Sequence, residues 1–267
     1  MKTKKLFLLL SLLLSILIAL TAVVGLTNPV IYIQETLNWR VQALAQDIFD
    51  GLILAPLIIG SAYLVFKKRA WAYPIWAGAV FYSIYTYSIY AFTIHFGQLF
   101  PVYILILGLS FYLALLSLIN CDISLFKSKF RSHWISTAAA VVLIIFGGLF
   151  YLVWGSEVFQ ALTAGTTPVS LQETGLITNP VHVLDMAFLL PAMIISGILL
   201  KKKNQFGFLF APAVLTTKTL FTLTIIMINL EFMRHGLAAN ESVIFMFSFI
   251  LGVDLLILGK YLLQISK

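Results

Sequence analysis

The chain has 267 residues, 61% of them hydrophobic and only 10% charged, with a net charge of +7. A soluble domain carries about 25% charged residues, so most of this surface faces something other than water. The basic residues sit in short clusters between apolar segments, a topology pattern and not a nucleic-acid groove.

Apolar segments of about 20 residues, each enough to cross a hydrocarbon core of about 30 Å, recur along the whole length. In lipid the backbone must satisfy its own hydrogen bonds, so these segments are expected to be helices. The short alternating strands of a β-barrel are not visible. The sequence therefore predicts an all-α integral membrane protein, a single polytopic domain over 1–267 with eight transmembrane helices.

In chain order, the first helix covers 6–26, behind the basic Lys2, Lys4 and Lys5. Its apolar run is longer than the 7–15 residues of a signal peptide and no A-x-A site follows, so it is read as retained. The second covers 45–66, carries Asp47, Asp50 and Pro56, and ends in Lys67-Lys68-Arg69. The third, 71–94, bears a stripe of Tyr82, Thr86, Tyr90 and Thr93 flanked by Ser83, Tyr85 and Tyr87. That stripe is expected to pack against neighbours or to line a cavity for an amphipathic or aromatic ligand.

The fourth covers 100–120, followed by a 121–133 connection with Lys127, Lys129 and Arg131. There the one cysteine, Cys121, stands beside Asp122, which excludes an internal disulfide and a multi-cysteine metal site. The fifth covers 134–154, where Gly147-Gly148 suits close helix packing. An outer loop, 155–180, containing "TAGTTPV" is long for a connector and reads as a lid or as a docking surface for a partner protein. The sixth, 181–200, carries His182, Asp185 and Pro191 and ends in Lys201-Lys202-Lys203.

The seventh covers 206–230, with Lys218, Thr222 and Asn229 on one face and Thr219 beside them. The eighth, 241–264, has Asp254 near its middle. Counted from opposite ends, Lys218 and Asp254 reach similar depth in adjacent antiparallel helices. Either charge alone in lipid is unfavourable on every scale, so the two are expected to pair. The sequon Asn240-Glu241-Ser242 is read as chance.

The basic connections share one side with Lys260 and Lys267, while the opposite loops carry only Arg40 and Arg234. The positive-inside rule puts both termini in the cytosol, with the plasma (cytoplasmic) membrane as the expected location.

An internal echo links Asp50 with Asp185. A proline follows each after six residues, Pro56 and Pro191, and a basic cluster about 17 residues on. Pro74 and Pro212, then His95 and His235, come later with small gaps. The echo predicts repeat halves 1–120 and 133–267, related by a pseudo-two-fold along the membrane normal. "TNPV" and "QET" also recur, but in opposite order, so they do not share one alignment.

The external side collects Glu35, Asp47, Asp50, Glu157, Glu173, Asp185, Glu231 and Glu241 against Arg40 and Arg234, with His95, His182 and His235 nearby. Asp47/Asp50 and His182/Asp185 are each three apart and share a helix face. If the second and sixth helices meet, these four residues form an outer cluster for a cation, a proton relay or a cationic solute. The competing reading is that the carboxylates cap helix N-termini near water.

Three functions follow. The first is a small-solute or ion/proton-coupled carrier with Lys218–Asp254 and the Asp50/Asp185 cluster on its route, and with Pro56 and Pro191 freeing carbonyls for cations. The second is an outer-face enzyme using the Asp/His cluster. The third is a non-catalytic component that binds a partner protein through 155–180. In topology alone, two four-helix halves resemble haem A synthase, a family with haem-ligating histidines in both halves. His95, His182 and His235 do not reproduce that arrangement, so neither haem nor a metal is assigned.

Overall fold

The structure is a computed structural model that describes residues 2–119 and 133–266. Cys121, Asp122, Lys127, Lys129 and Arg131 lie outside the described residues. The helices are α1 (Lys2–Thr27), α2 (Leu37–Phe66), α3 (Ala72–Thr93), α4 (Phe100–Ile119), α5 (His133–Ala164), the short α6 (Val169–Thr174), α7 (Pro180–Lys201), α8 (Gln205–Arg234) and α9 (Glu241–Ser266). No strand occurs among the described residues.

Among the described residues, seven helices are long and apolar enough to cross a membrane: α1, α2, α4, α5, α7, α8 and α9. The third helix, expected as a span, forms over 22 residues but is not among the seven. Its serines, threonines and tyrosines dilute its apolar surface, and most of them are buried against other helices.

Two other boundaries differ from the sequence reading. The second helix begins at Leu37 instead of 45, because Thr36 caps it by accepting from Trp39 N (3.3 Å). The fifth runs on to Ala164 instead of ending at 154, and α6 occupies 169–174, so much of the expected 155–180 loop is helical. Asn179, Asn204 and Asn240 cap α7, α8 and α9 through their side-chain oxygens. Asn240, the sequon residue, thus has a structural use.

Both α2 and α7 open into a π turn at their aspartate, Asp50–Leu54 and Asp185–Leu189. Ala55 N bonds Asp50 O and Leu190 N bonds Asp185 O, five residues back. The cause is the proline that follows: it lacks an N–H and its ring collides with the carbonyl four residues earlier. Widening the turn by one residue relieves both problems.

Each helix then closes in the same way. Lys68 and Lys203 adopt φ of 63° and 56°. Arg69 N bonds Leu64 O and Asn204 N bonds Leu199 O, both at 2.9 Å, a Schellman closure built without glycine.

At the centre, α3 and α8 run parallel in close contact. Thr217 Oγ1 donates to Gly78 O (2.9 Å), and Tyr82 and Thr224 share a hydroxyl bond of 2.6 Å. A Cβ on Gly78 would lie 2.5 Å from both Ala213 O and Thr216 Cβ, so glycine sets this close approach. Around this axis α1 and α4 flank α2 and α3, while α5 and α9 flank α7 and α8. Gly147 makes the expected close contact, with Leu190 O and Ile194, whereas Gly148 faces open space.

Candidate functional site

A cavity of about 720 Å³ lies between α2 and α3 on one side and α5, α7, α8 and α9 on the other. Its walls are mostly apolar, with Phe146, Phe150, Trp154, Phe221 and Phe247 prominent. Such a hollow, with few convergent polar groups, is the usual form of a small-molecule site. From Lys218 to Phe232 the cavity follows fifteen residues of α8, fourteen rises or about 21 Å at 1.5 Å each. Ser170, Thr174, Leu176 and Asn179 roof the end away from Lys218. The roof is tied down by Thr36, whose hydroxyl reaches Thr174 O (3.0 Å) and Glu173 O (3.3 Å).

His182 and Asp185 are in the cavity wall and buried. Tyr85 donates to Asp185 Oδ1 (2.9 Å) and Trp154 Nε1 to Oδ2 (2.8 Å). The carboxylate therefore pins α3 and α5 to α7. Beside it, the His182 ring lies 4.6 Å from Trp154, centroid to centroid, and its Nε2 stands 3.4 Å from Glu157 Oε2. The carbonyl of Met186, in the π turn, accepts from the Tyr151 hydroxyl.

Asp47 and Asp50 lie outside the cavity wall, within the packed core of the first half of the chain. Tyr32 donates to Asp47 Oδ2 (2.7 Å) and Tyr90 to Oδ1 (2.9 Å). Gln46 Nε2 donates to Asp50 Oδ1 (2.7 Å) and meets the Tyr82 hydroxyl (3.0 Å). Tyr32 belongs to the connection before α2. Burial, and then the neighbouring Asp47 carboxylate, hold its phenol well above the ordinary tyrosine range.

The four residues do not converge. Among the described residues no group of three His, Cys, Asp or Glu side chains gathers as a metal site requires. Nor do the aspartates cap their helices: Thr36 and Asn179 do that. Asp47 and Asp50 are three turns inside α2, with exposures of 1% and 0%, beyond the reach of bulk water.

Lys218 Nζ and Asp254 Oδ2 are 2.5 Å apart, and both side chains are 1% exposed. Thr222 approaches the same carboxylate oxygen at 3.4 Å. The Phe146 ring lies over the ammonium, 4.0 Å from Nζ. Lys218, Thr222 and Asn229 all border the cavity, as does Thr86 of the α3 stripe, with Tyr90 one turn further on. Tyr82 is buried instead between Phe49 and Phe221.

Other acids that the sequence reading grouped on one side pair locally. Glu35 Oε1 accepts from His95 N (2.8 Å) and meets its Nδ1 (2.9 Å). Glu231 holds Arg234 at 2.7 Å and stands 3.7 Å from His235. Arg40 caps carbonyls of Tyr32 and Ile33.

Sequence reasoning passed over Asn38, Gln42 and Gln46, which line the cavity from α2. Their i, i+4 spacing was the available signal. Trp154 and Phe146 carried none, since aromatic residues in apolar helices are routine.

Seven apolar helices around buried polar groups define a polytopic helical membrane protein, in contact with the lipid bilayer. Comparison of the chain with protein-family models, with curated proteins and with solved structures finds no match.

Proposed function

We propose that the protein is a carrier for a small amphipathic organic solute, coupled to an ion or proton through Lys218 and Asp254. In this reading both termini are cytosolic, α3 is an eighth crossing, and the location is the cytoplasmic membrane. Residues 1–120 and 133–267 are two equivalent halves. The matched π turns, the matched Schellman closures and the parallel α3–α8 contact support that equivalence. They recur at one spacing, Asp50 to Asp185 and Lys68 to Lys203 alike.

The observation that carries the proposal is the cavity itself. It lies between the halves and reaches the buried Lys218–Asp254 pair at the middle of α8 and α9. Repeat interfaces near the bilayer midplane are where secondary transporters hold their substrates. On the cytosolic side, the Gly78 contact with Ala213 and Thr216 closes the path. A carrier must open that contact in a second conformation.

The test needs no knowledge of the solute. Thr222→Cys in a Cys121→Ser background places one thiol beside the ion pair. In sealed vesicles, an impermeant thiol reagent should label it both from outside and when trapped inside. Labelling from one side only would mark a one-sided pocket and overturn the carrier reading.

A further inference from the structure

The cavity has a second face besides its roof. Leu149 and Val153 of α5 and Met246 of α9 line it, yet are 53%, 44% and 48% exposed. Residues that border a hollow and also face outward mark an opening, as the exposed Glu173 does in the roof. Leu149, Val153 and Met246 belong to two helices long and apolar enough to cross a membrane, so the opening between α5 and α9 gives onto hydrocarbon. A polar solute arriving from water has no reason to use such a portal, whereas a molecule already dissolved in the bilayer does.

The hollow is also long for its volume. Dividing 720 Å³ by about 21 Å of α8 leaves a mean cross-section of about 34 Å². That is wide enough for a hydrocarbon chain or an aromatic ring, in a hollow longer than it is broad.

At the deep end lies a donor with capacity to spare. A lysine ammonium has three N–H groups. Among the described residues Asp254 Oδ2 is the one hydrogen-bond acceptor within reach of Lys218 Nζ, and Phe146 covers a second direction. Asp254 is not in the cavity wall, so Lys218 is the charge that a ligand meets there. Asp185, the other ionisable group near mid-wall, has both oxygens already accepting, from Tyr85 and Trp154. Buried polar groups are rarely left without partners; Asp254 Oδ1 also lacks one but is not in the cavity wall, so what a ligand can supply at the wall is an acceptor for the spare N–H groups of Lys218.

We infer that the cavity takes a single-chain anionic amphiphile, of the fatty-acid class, which enters sideways between α5 and α9 and sets its carboxylate against Lys218 Nζ. The inference rests on the carrier reading of the same cavity and names its substrate class. The apolar body lies along Phe146, Phe150 and Phe221, and the sideways portal bypasses the tied-down roof.

The experiment uses the full chain in phospholipid nanodiscs with a diazirine-bearing palmitate analogue, photolysed and mapped by mass spectrometry. Cross-links are expected on cavity-lining stretches of α5, α8 and α9. Unlabelled palmitate should suppress them at least about tenfold better than methyl palmitate or hexadecylamine of equal length. A charge-assisted hydrogen bond of about 1.5–3 kcal/mol corresponds to a loss of about ten- to hundredfold in Lys218→Met. Lys218→Arg should restore most of the labelling.

If Lys218→Met fails to fold, Ile225→Trp, which fills the hollow at mid-height and leaves the ion pair intact, should abolish cavity labelling by itself. Equal competition by the ester, or cross-links confined to lipid-facing residues outside the cavity, would overturn the inference. Palmitate binding without two-sided access to Thr222→Cys would overturn the carrier reading and leave this inference standing. Two-sided access without palmitate binding would do the reverse.

Discussion

The surroundings of Asp50 and of Asp185 are the most instructive comparison within this molecule. Both aspartates begin a π turn, both precede a proline by six residues, and both sit on helices that end in the same closure. Around Asp47 and Asp50 the space is filled: Tyr82, Tyr87 and Tyr90 are all at most 3% exposed, and the Tyr87 and Tyr90 rings stack at 5.5 Å. Around Asp185 it is hollow, and the aromatic side chains form a wall instead of a plug. One backbone device therefore serves as a tyrosine-sealed strut in one place and as the rim of a cavity in the other. Side chains, not helix geometry, decide which.

The largest difference lies one helix away. When Pro74 is aligned with Pro212, Lys218 stands where α3 has the buried Val80. Removing one member of the ion pair, as in Lys218→Met or Asp254→Leu, should cost about 3–5 kcal/mol by leaving a buried charge alone. The double change Lys218→Val/Asp254→Leu makes the second half resemble the first and should be near neutral or stabilising in a denaturation titration. If the double variant is as unstable as either single one, the pair is worth more to the fold than this comparison allows.

A smaller effect separates the tyrosines. Tyr32→Phe removes one of two donors to Asp47 in a buried site away from the cavity wall and should cost about 1–3 kcal/mol. Tyr85→Phe leaves Asp185 its Trp154 bond beside a cavity where water can replace the hydroxyl. It should therefore cost less than about 1 kcal/mol. Equal losses, read from the same titration, would mean that the two surroundings are equally dry.

The smallest effect is confined to alkaline pH. Because Tyr32 has its proton affinity raised by folding, its contribution is complete below the ordinary tyrosine value of about 10 and fades as pH rises through the higher folded value. Unfolding temperature in that alkaline range should fall more steeply for the unaltered protein than for Tyr32→Phe. Parallel curves would contradict the burial of this phenol beside Asp47.

Much of this architecture was legible in the sequence, because hydrophobic length and basic punctuation report on lipid directly. The Lys218–Asp254 contact followed from counting depth along two helices, since a lone charge there has few alternatives. The early start of α2 was hidden: Asn38, Gln42 and Gln46 lower its apolarity because they face the cavity, so the run looked like a loop. The π turns were hidden for another reason, as a proline signals a break without specifying how the backbone absorbs it. Least legible was the hollow. It is the space left where side chains from six helices fail to meet, and no single segment encodes that.

The most direct test of the account is ligand-dependent thermal stability of the purified protein. A panel of anionic, cationic and neutral amphiphiles and polar solutes would be applied to the unaltered chain, to Asp50→Asn and to the cavity-filled Ile225→Trp. The account expects one chemical class to raise the unfolding temperature of the unaltered chain and of Asp50→Asn, and to do nothing for Ile225→Trp. Stabilisation that survives in Ile225→Trp but disappears in Asp50→Asn would place the binding site in the tyrosine-packed half and contradict the central claim.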